Sequence, residues 1–213
     1  MNSKQSISEC MEHGCPVIEV DVNFTSDGVP VLTHWFAPDE DIMFFDKPSL
    51  QEFLSADYPG GHYPMILDEL MEKVKDYDGV FLIDVKMGEE REVAEWFASH
   101  YSFEQKQKLI FQVHDVRFLK ELHEKNIFGY LHYNADIQTL ETLLPYFKKY
   151  DVHTVSVSDW EVRDEKSIAN LRNAGLHVYV YTVNHARRMK TLFEYGVDGV
   201  FTDCYGELVQ ELQ

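Results

Sequence analysis

From residue 67 to the end of the chain, amphipathic stretches suited to helices are each followed by a short apolar or alternating run suited to a strand. A helix-then-strand rhythm is what parallel strands joined by crossover helices require, and it argues against an all-β or all-α fold. Helices are expected at 67–74, 89–100, 116–125, 137–150, 165–174 and 186–195, and strands at 80–87, 109–114, 128–133, 154–159, 177–183 and 200–203. A further helix at 3–13, with Ile7, Cys10 and Met11 on one side and Gly14 as its stop, precedes a strand at 17–22. The reading gives seven parallel strands in one domain over 1–213, a length within the lower range of an eight-fold α/β barrel.

The densest chemistry lies in residues 17–34, VIEVDVNFTSDGVPVLTH. Side chains on a strand alternate faces, so Ile18, Val20 and Val22 point one way while Glu19, Asp21 and Asn23 point the other. Two carboxylates at i and i+2 lie roughly 7 Å apart, close enough to share a cation and unfavourable if buried without one. A hard divalent metal is the simplest remedy. Ser26-Asp27-Gly28 reads as a tight turn, and 29–34 as a returning strand that brings His34 back toward the carboxylates. Taken alone, the same stretch also suits an edge hairpin with a solvated acidic face. In the strand at 80–87, Leu82, Asp84 and Lys86 share a face. Parallel neighbours sit about 4.8 Å apart, so Asp84 is expected to complete a triad with Glu19 and Asp21. A plain ion pair between Asp84 and Lys86 is the other reading of those two residues.

The run E-x-D, then S-D-G-x-P-V, then histidine is followed in order by PMILDEL (64–70), FLIDVK (81–86), YVYTVN (179–184) and GVDGVFTD (196–203). Over nearly its whole length the chain thereby resembles the glycerophosphodiester phosphodiesterase family. The resemblance implies an α/β fold, a TIM (β/α)8-type barrel of the phosphodiesterase and phospholipase C-like kind. It implies metal-dependent hydrolysis of glycerophosphodiesters to glycerol phosphate and an alcohol, with one divalent cation, Ca2+ or Mg2+, held by Glu19, Asp21 and Asp84. It implies proton transfer by His34, and Lys86, which should face the same carboxylate cluster, is expected to bind the substrate phosphate. Gln112 matches a family glutamine and Tyr181 stands at a position commonly tryptophan; as substrate-binding candidates they either wall the pocket or merely pack.

Several positions depart from the family pattern. Asp84 replaces the usual glutamate, Trp35 replaces the aspartate that often follows the histidine, and Val113-His114 replaces Ser-Phe. The chain as read starts after the first barrel strand, where the family carries His-Arg-Gly and a second catalytic histidine. Residues 1–213 alone are expected on that account to hydrolyse glycerophosphocholine weakly or not at all. The alternative is a catalytically impaired member that binds a metal or phosphate ligand, or a protein partner. A missing strand would also expose sheet edges and favour pairing with another chain, a homo-oligomer included. Residues 35–63, aromatic, acidic and broken by Pro38, Pro48, Pro59 and Gly60-Gly61, are expected to form a substrate-mouth insertion with a short helix at 48–56. There Trp35, Phe36, Phe44 and Phe45 either line the mouth or form a small satellite core. His114 and His132, near strand ends, are further candidates to face the site.

Charge narrows the partners. With 19 basic against 37 acidic residues and a formal charge of −18, the chain repels polyanions, so nucleic acid is not an expected partner and neither is an anionic membrane surface. A small phosphodiester is the expected substrate, reached with local help from metal or lysine. No run is long and apolar enough for a stable membrane anchor, and three cysteines without a C-x-x-C suit a reducing, cytoplasmic compartment.

Overall fold

The computed structural model describes residues 2–34, 36, 47–58, 62–86, 88–125 and 128–212. The chain groups into two compact units, Met1–Ile110 and Phe111–Gln213. The first opens with α1 (Lys4–Glu12). Its N-cap Ser3 accepts the Ser6 N–H at 3.1 Å while the Ser6 hydroxyl accepts the Ser3 N–H, a reciprocal cap that satisfies two otherwise orphaned donors. Gly14 takes φ 69°, and the Cys15 N–H reaches back to the Cys10 carbonyl at 3.0 Å, so the helix stops where the glycine predicts. The reversed chain enters β1 (Val17–Phe24), two residues longer than expected.

A turn through Gly28, at φ 78°, leads into β2 (Pro30–Leu32), antiparallel to β1 with Val22 opposite Leu32 and Phe24 opposite Pro30. This strand is shorter than the 29–34 expected: the carbonyl of Thr33, and weakly that of His34, accepts from the Asn23 side chain instead of continuing the ladder. On its other side β2 meets residues 64–66, where the Leu32 N–H donates to the Met65 carbonyl at 2.9 Å and Val31 bridges Ile66. The expected short helix is α2 (Leu50–Ser55), capped by Ser49 and Glu52. Phe36 lies edge-on to Phe53, ring centroids 6.1 Å apart; Trp35, Phe44 and Phe45 fall outside the described residues.

Helix α3 (Leu67–Asp76) buries Leu67, Leu70, Met71 and Val74 along one stripe. Strand β3 (Val80–Val85) then runs parallel to β1, in register from Val17 opposite Val80 to Val22 opposite Val85. Helices α4 (Glu90–His100) and α5 (Phe103–Lys106) lead to β4 (Leu109–Val113), which crosses residue 110. Ile18, Val20, Val22, Phe81, Ile83 and Val85 are all buried, so the apolar faces of β1 and β3 point into the core and their acidic residues share the opposite face.

In the second unit the order is α6 (Val116–Lys125), β5 (Tyr130–Asn134), α7 (Ile137–Lys149), β6 (Thr154–Ser158), α8 (Ala169–Asn173), β7 (His177–Tyr181), α9 (Ala186–Glu194), β8 (Gly199–Val200) and α10 (Tyr205–Leu212). Strands β5 to β8 pair in sequence order, all parallel, as the crossover rhythm predicts. Residues 165–174 divide into a 3-10 turn, Glu165–Ile168, capped by Asp164, and then α8. The strand expected at 200–203 ends at Val200, because Thr202 and Asp203 hydrogen-bond to the side chain of Asn184.

The approach of β3 to β1 starts at Gly79. A Cβ there would lie 2.9 Å from the Pro16 carbonyl oxygen and 2.5 Å from the Tyr77 ring, and the Tyr77 hydroxyl is itself bonded to the Cys15 carbonyl. Substituting Gly79→Ala is expected to destabilise the fold by about 1–3 kcal/mol through overpacking, measured by denaturant unfolding. Burial, reinforced by neighbouring Cys10, pushes the Cys15 thiol up to about 12. A thiol reagent at roughly pH 8 should therefore label Cys10 and Cys204 in the native protein and Cys15 only after unfolding, as peptide mapping by mass spectrometry will show.

Candidate active site

The β1–β3 register places Asp21 directly opposite Asp84, with Glu19 one step back on the same face. In parallel strands this is the closest approach two side chains on one face can make. One carboxylate oxygen from each of Glu19, Asp21 and Asp84 lies within 4.8 Å of the other two. The side chain of Asp21 is 4 % exposed and that of Asp84 16 %. Three like charges this close, partly removed from water, need compensation.

Lys86 supplies part of it. Two residues beyond Asp84 on the same face, it donates from Nζ to Asp21 Oδ1 at 2.6 Å and stands 3.8 Å from Asp84 Oδ2. Its tighter partner is thus across the sheet rather than on its own strand, so a simple Asp84–Lys86 pair does not describe the cluster. Three carboxylates and one ammonium leave two negative charges, which a single divalent cation balances. The all-oxygen donor set suits a hard ion such as Ca2+ or Mg2+. On donor chemistry, spacing and charge, Glu19, Asp21 and Asp84 fit a divalent metal.

The hairpin also does what its pattern predicts. His34, just past β2, comes to 4.0 Å from Asp21 Oδ1 through Nε2, too long for a hydrogen bond but beside the carboxylates. Its side chain is 48 % exposed, so the ring borders solvent. The first unit therefore assembles five of the residues read from the sequence: Glu19, Asp21, His34, Asp84 and Lys86.

Gln112 and Tyr181 belong to the second unit. Gln112 is buried on β4 and its side chain reaches His114 at 3.4 Å. The Tyr181 hydroxyl donates to Asn134 Oδ1 at 3.0 Å. The β5–β6–β7 register sets Asn134 opposite Ser156, Ser156 opposite Tyr179 and Ser158 opposite Tyr181, giving this sheet one polar face beside the apolar face of Val155, Val157, Val178 and Val180. His132, on the same face, is buried with Nδ1 3.0 Å from the Thr154 hydroxyl and its ring edge-on to Tyr179 and Phe201. Sequence reading missed Asn134 and Ser156 because each strand contributes only one or two such residues.

It also missed Asn2. Its amide Nδ2 donates to Asp21 Oδ2 at 2.7 Å, and its Oδ1 accepts the Asp21 backbone N–H at 2.9 Å. The contact spans 19 positions, and nothing local announces it beyond an asparagine next to a helix cap.

Parallel strands joined by helices, with Asp21 facing Asp84 across β1 and β3, belong to the α/β class of the TIM (β/α)8-type barrel. Residues 45–207 match the model of the glycerophosphoryl diester phosphodiesterase family. The chain belongs to that family. Asp84, Lys86, Gln112 and Tyr181 lie inside the matched span, while Glu19, Asp21 and His34 precede it. Among solved structures, a phosphodiesterase from Oleispira antarctica in complex with the product sn-glycerol-3-phosphate is 19 % identical, with a TM-score of 0.78 over 99 % of this chain and 90 % of that one. A glycerophosphodiester phosphodiesterase from Thermotoga maritima is 22 % identical, with a TM-score of 0.73 over 100 % and 92 %. One from Parabacteroides distasonis is 17 % identical, with a TM-score of 0.72 over 99 % and 89 %. No curated protein sequence matches the chain.

If the triad holds the cation, the double substitution Glu19→Gln plus Asp21→Asn should abolish calorimetric binding of Ca2+ and Mg2+. Unchanged binding in that variant would move the metal elsewhere.

Proposed function

We propose that this protein hydrolyses small glycerophosphodiesters to glycerol phosphate and an alcohol, using one divalent cation at Glu19, Asp21 and Asp84. The observation that carries the reading is the convergence of three carboxylates, one ammonium and one imidazole on Asp21, with oxygen spacings within 4.8 Å, Lys86 at 2.6 Å and His34 at 4.0 Å. Family membership supplies the substrate class, and the product in the similar Oleispira antarctica structure is a glycerol phosphate.

A bound divalent cation would neutralise phosphoryl oxygens and orient a substrate hydroxyl. Lys86, anchored to Asp21, presents an ammonium with three donors beside the cluster, where a phosphate oxygen can compete for them. His34 sits within a substrate's width of the carboxylates and in contact with solvent, the placement needed to move a proton to or from an attacking or leaving oxygen. Asp21 ties the two together, because both basic groups approach its Oδ1. Free thiols at Cys10, Cys15 and Cys204 support a reducing compartment such as the cytoplasm. No helix among the described residues is long and apolar enough to cross a membrane.

The test is release of glycerol phosphate from glycerophosphocholine with Mg2+ or Ca2+ present. Replacing His34→Asn is expected to lower kcat by about 10²- to 10⁴-fold with little change in KM, whereas Lys86→Met should also raise KM because it removes ground-state contacts. Metal binding without turnover by the unaltered chain would instead identify a family member that binds its ligand without hydrolysing it.

A further inference from the structure

Both carboxylate oxygens of Asp21 and its backbone N–H are engaged by side chains. Lys86 occupies Oδ1, and the Asn2 amide occupies Oδ2 at 2.7 Å while also taking the Asp21 backbone N–H at 2.9 Å. The backbone bond fills a gap in the sheet. Opposite Asp21 the β1–β2 ladder is half closed: the Asp21 carbonyl accepts the Thr33 N–H at 3.1 Å, but the Thr33 carbonyl is taken by the Asn23 side chain, so Asn2 provides the acceptor that the Asp21 N–H does not find on the neighbouring strand. A side chain that satisfies both the backbone and the carboxylate of one residue fixes χ1 and χ2 of that residue together. Asn2 reaches this position with φ 59°, a left-handed conformation that asparagine tolerates better than most residues.

We propose that Asn2 is a positioning residue for the cation site, holding the Asp21 carboxylate in a single orientation through Oδ2 and thereby biasing the site toward Mg2+ over Ca2+. The inference rests on the reading of Glu19, Asp21 and Asp84 as the metal ligands. Mg2+ demands a small, nearly ideal octahedral shell of singly coordinating oxygens, whereas Ca2+ accepts more ligands, looser angles and both oxygens of one carboxylate. With Oδ2 held by the amide, turning Asp21 to chelate costs that hydrogen bond. Released from Asn2, the carboxylate can rotate and offer both oxygens, a change that suits the larger ion.

The experiment is calorimetric titration of Mg2+ and of Ca2+ into metal-free protein for the unaltered chain, Asn2→Gly and Asn2→Ala. Asn2→Gly removes the amide while keeping the left-handed backbone accessible, and comparison with Asn2→Ala separates backbone strain from loss of the clamp. Thermal midpoints of the metal-free proteins report any general loss of stability. In Asn2→Gly, Mg2+ affinity is expected to fall about 10- to 100-fold, the usual range for groups that orient a metal ligand, with Ca2+ affinity falling several-fold less. Equal weakening of both ions, or no change in either, would overturn the proposal even if the unaltered chain binds metal normally. Absence of binding by the unaltered chain would overturn the metal-site reading and this inference with it.

Discussion

Like-charge repulsion across one pair of parallel strands is the constraint to which the first unit answers. At an effective dielectric of about 20, two carboxylate charges 4.8 Å apart repel by roughly 3 kcal/mol before solvent screening. Three such groups on one face would drive β1 and β3 apart or out of register unless the opposite face held them. That hold comes from Ile18, Val20, Val22, Phe81, Ile83 and Val85, buried along the same two strands, each contributing on the order of 1.5–3 kcal/mol when fully buried. Apolar burial on one side of the sheet thus keeps an unfavourable electrostatic arrangement in place on the other, and the stored repulsion is what makes the face receptive to cations.

The remaining contacts around Asp21 answer the same repulsion. Lys86 relieves part of the negative charge, Asn2 neutralises no charge but fixes direction, and the hairpin brings an ionisable imidazole to the border with solvent. Three sequence-distant segments therefore meet on a single carboxylate whose side chain is 4 % exposed. Charge, orientation and the imidazole come from different parts of the chain.

The legible part of this arrangement is the part governed by period-two alternation. Glu19 with Asp21, and Asp84 with Lys86, could be placed on one face from their spacing alone, and the parallel pairing followed from the helix between the strands. The hairpin turn was readable from Ser26-Asp27-Gly28, and the α1 stop from Gly14. What could not be read depends on contacts without local periodicity. Asn2 acts 19 positions away; the early end of β2 depends on Asn23 capturing the Thr33 carbonyl; and the early end of β8 depends on Asn184 capturing Asp203. In each case an asparagine side chain replaces or interrupts a backbone partner, a competition that apolar patterning does not register. The polar face of β5 to β7 was illegible for another reason: it emerges only when the strands are aligned.

The tip of the hairpin is bonded to the stretch that opens α2. Asp27 Oδ1 accepts both the Thr25 hydroxyl at 2.6 Å and the Leu50 N–H at 2.9 Å, and the Ser26 N–H donates to the Pro48 carbonyl at 2.8 Å. The turn at one end of the hairpin is thus latched to the start of α2, while His34 lies at the other end. The segment that carries His34 is therefore anchored at its start by α2 as well as along its length by β1. The bonds from Thr25 and Leu50 hold the Asp27 carboxyl below the ordinary aspartate range, so this latch favours the ionised carboxylate and is weakened as the pH falls through that lowered value.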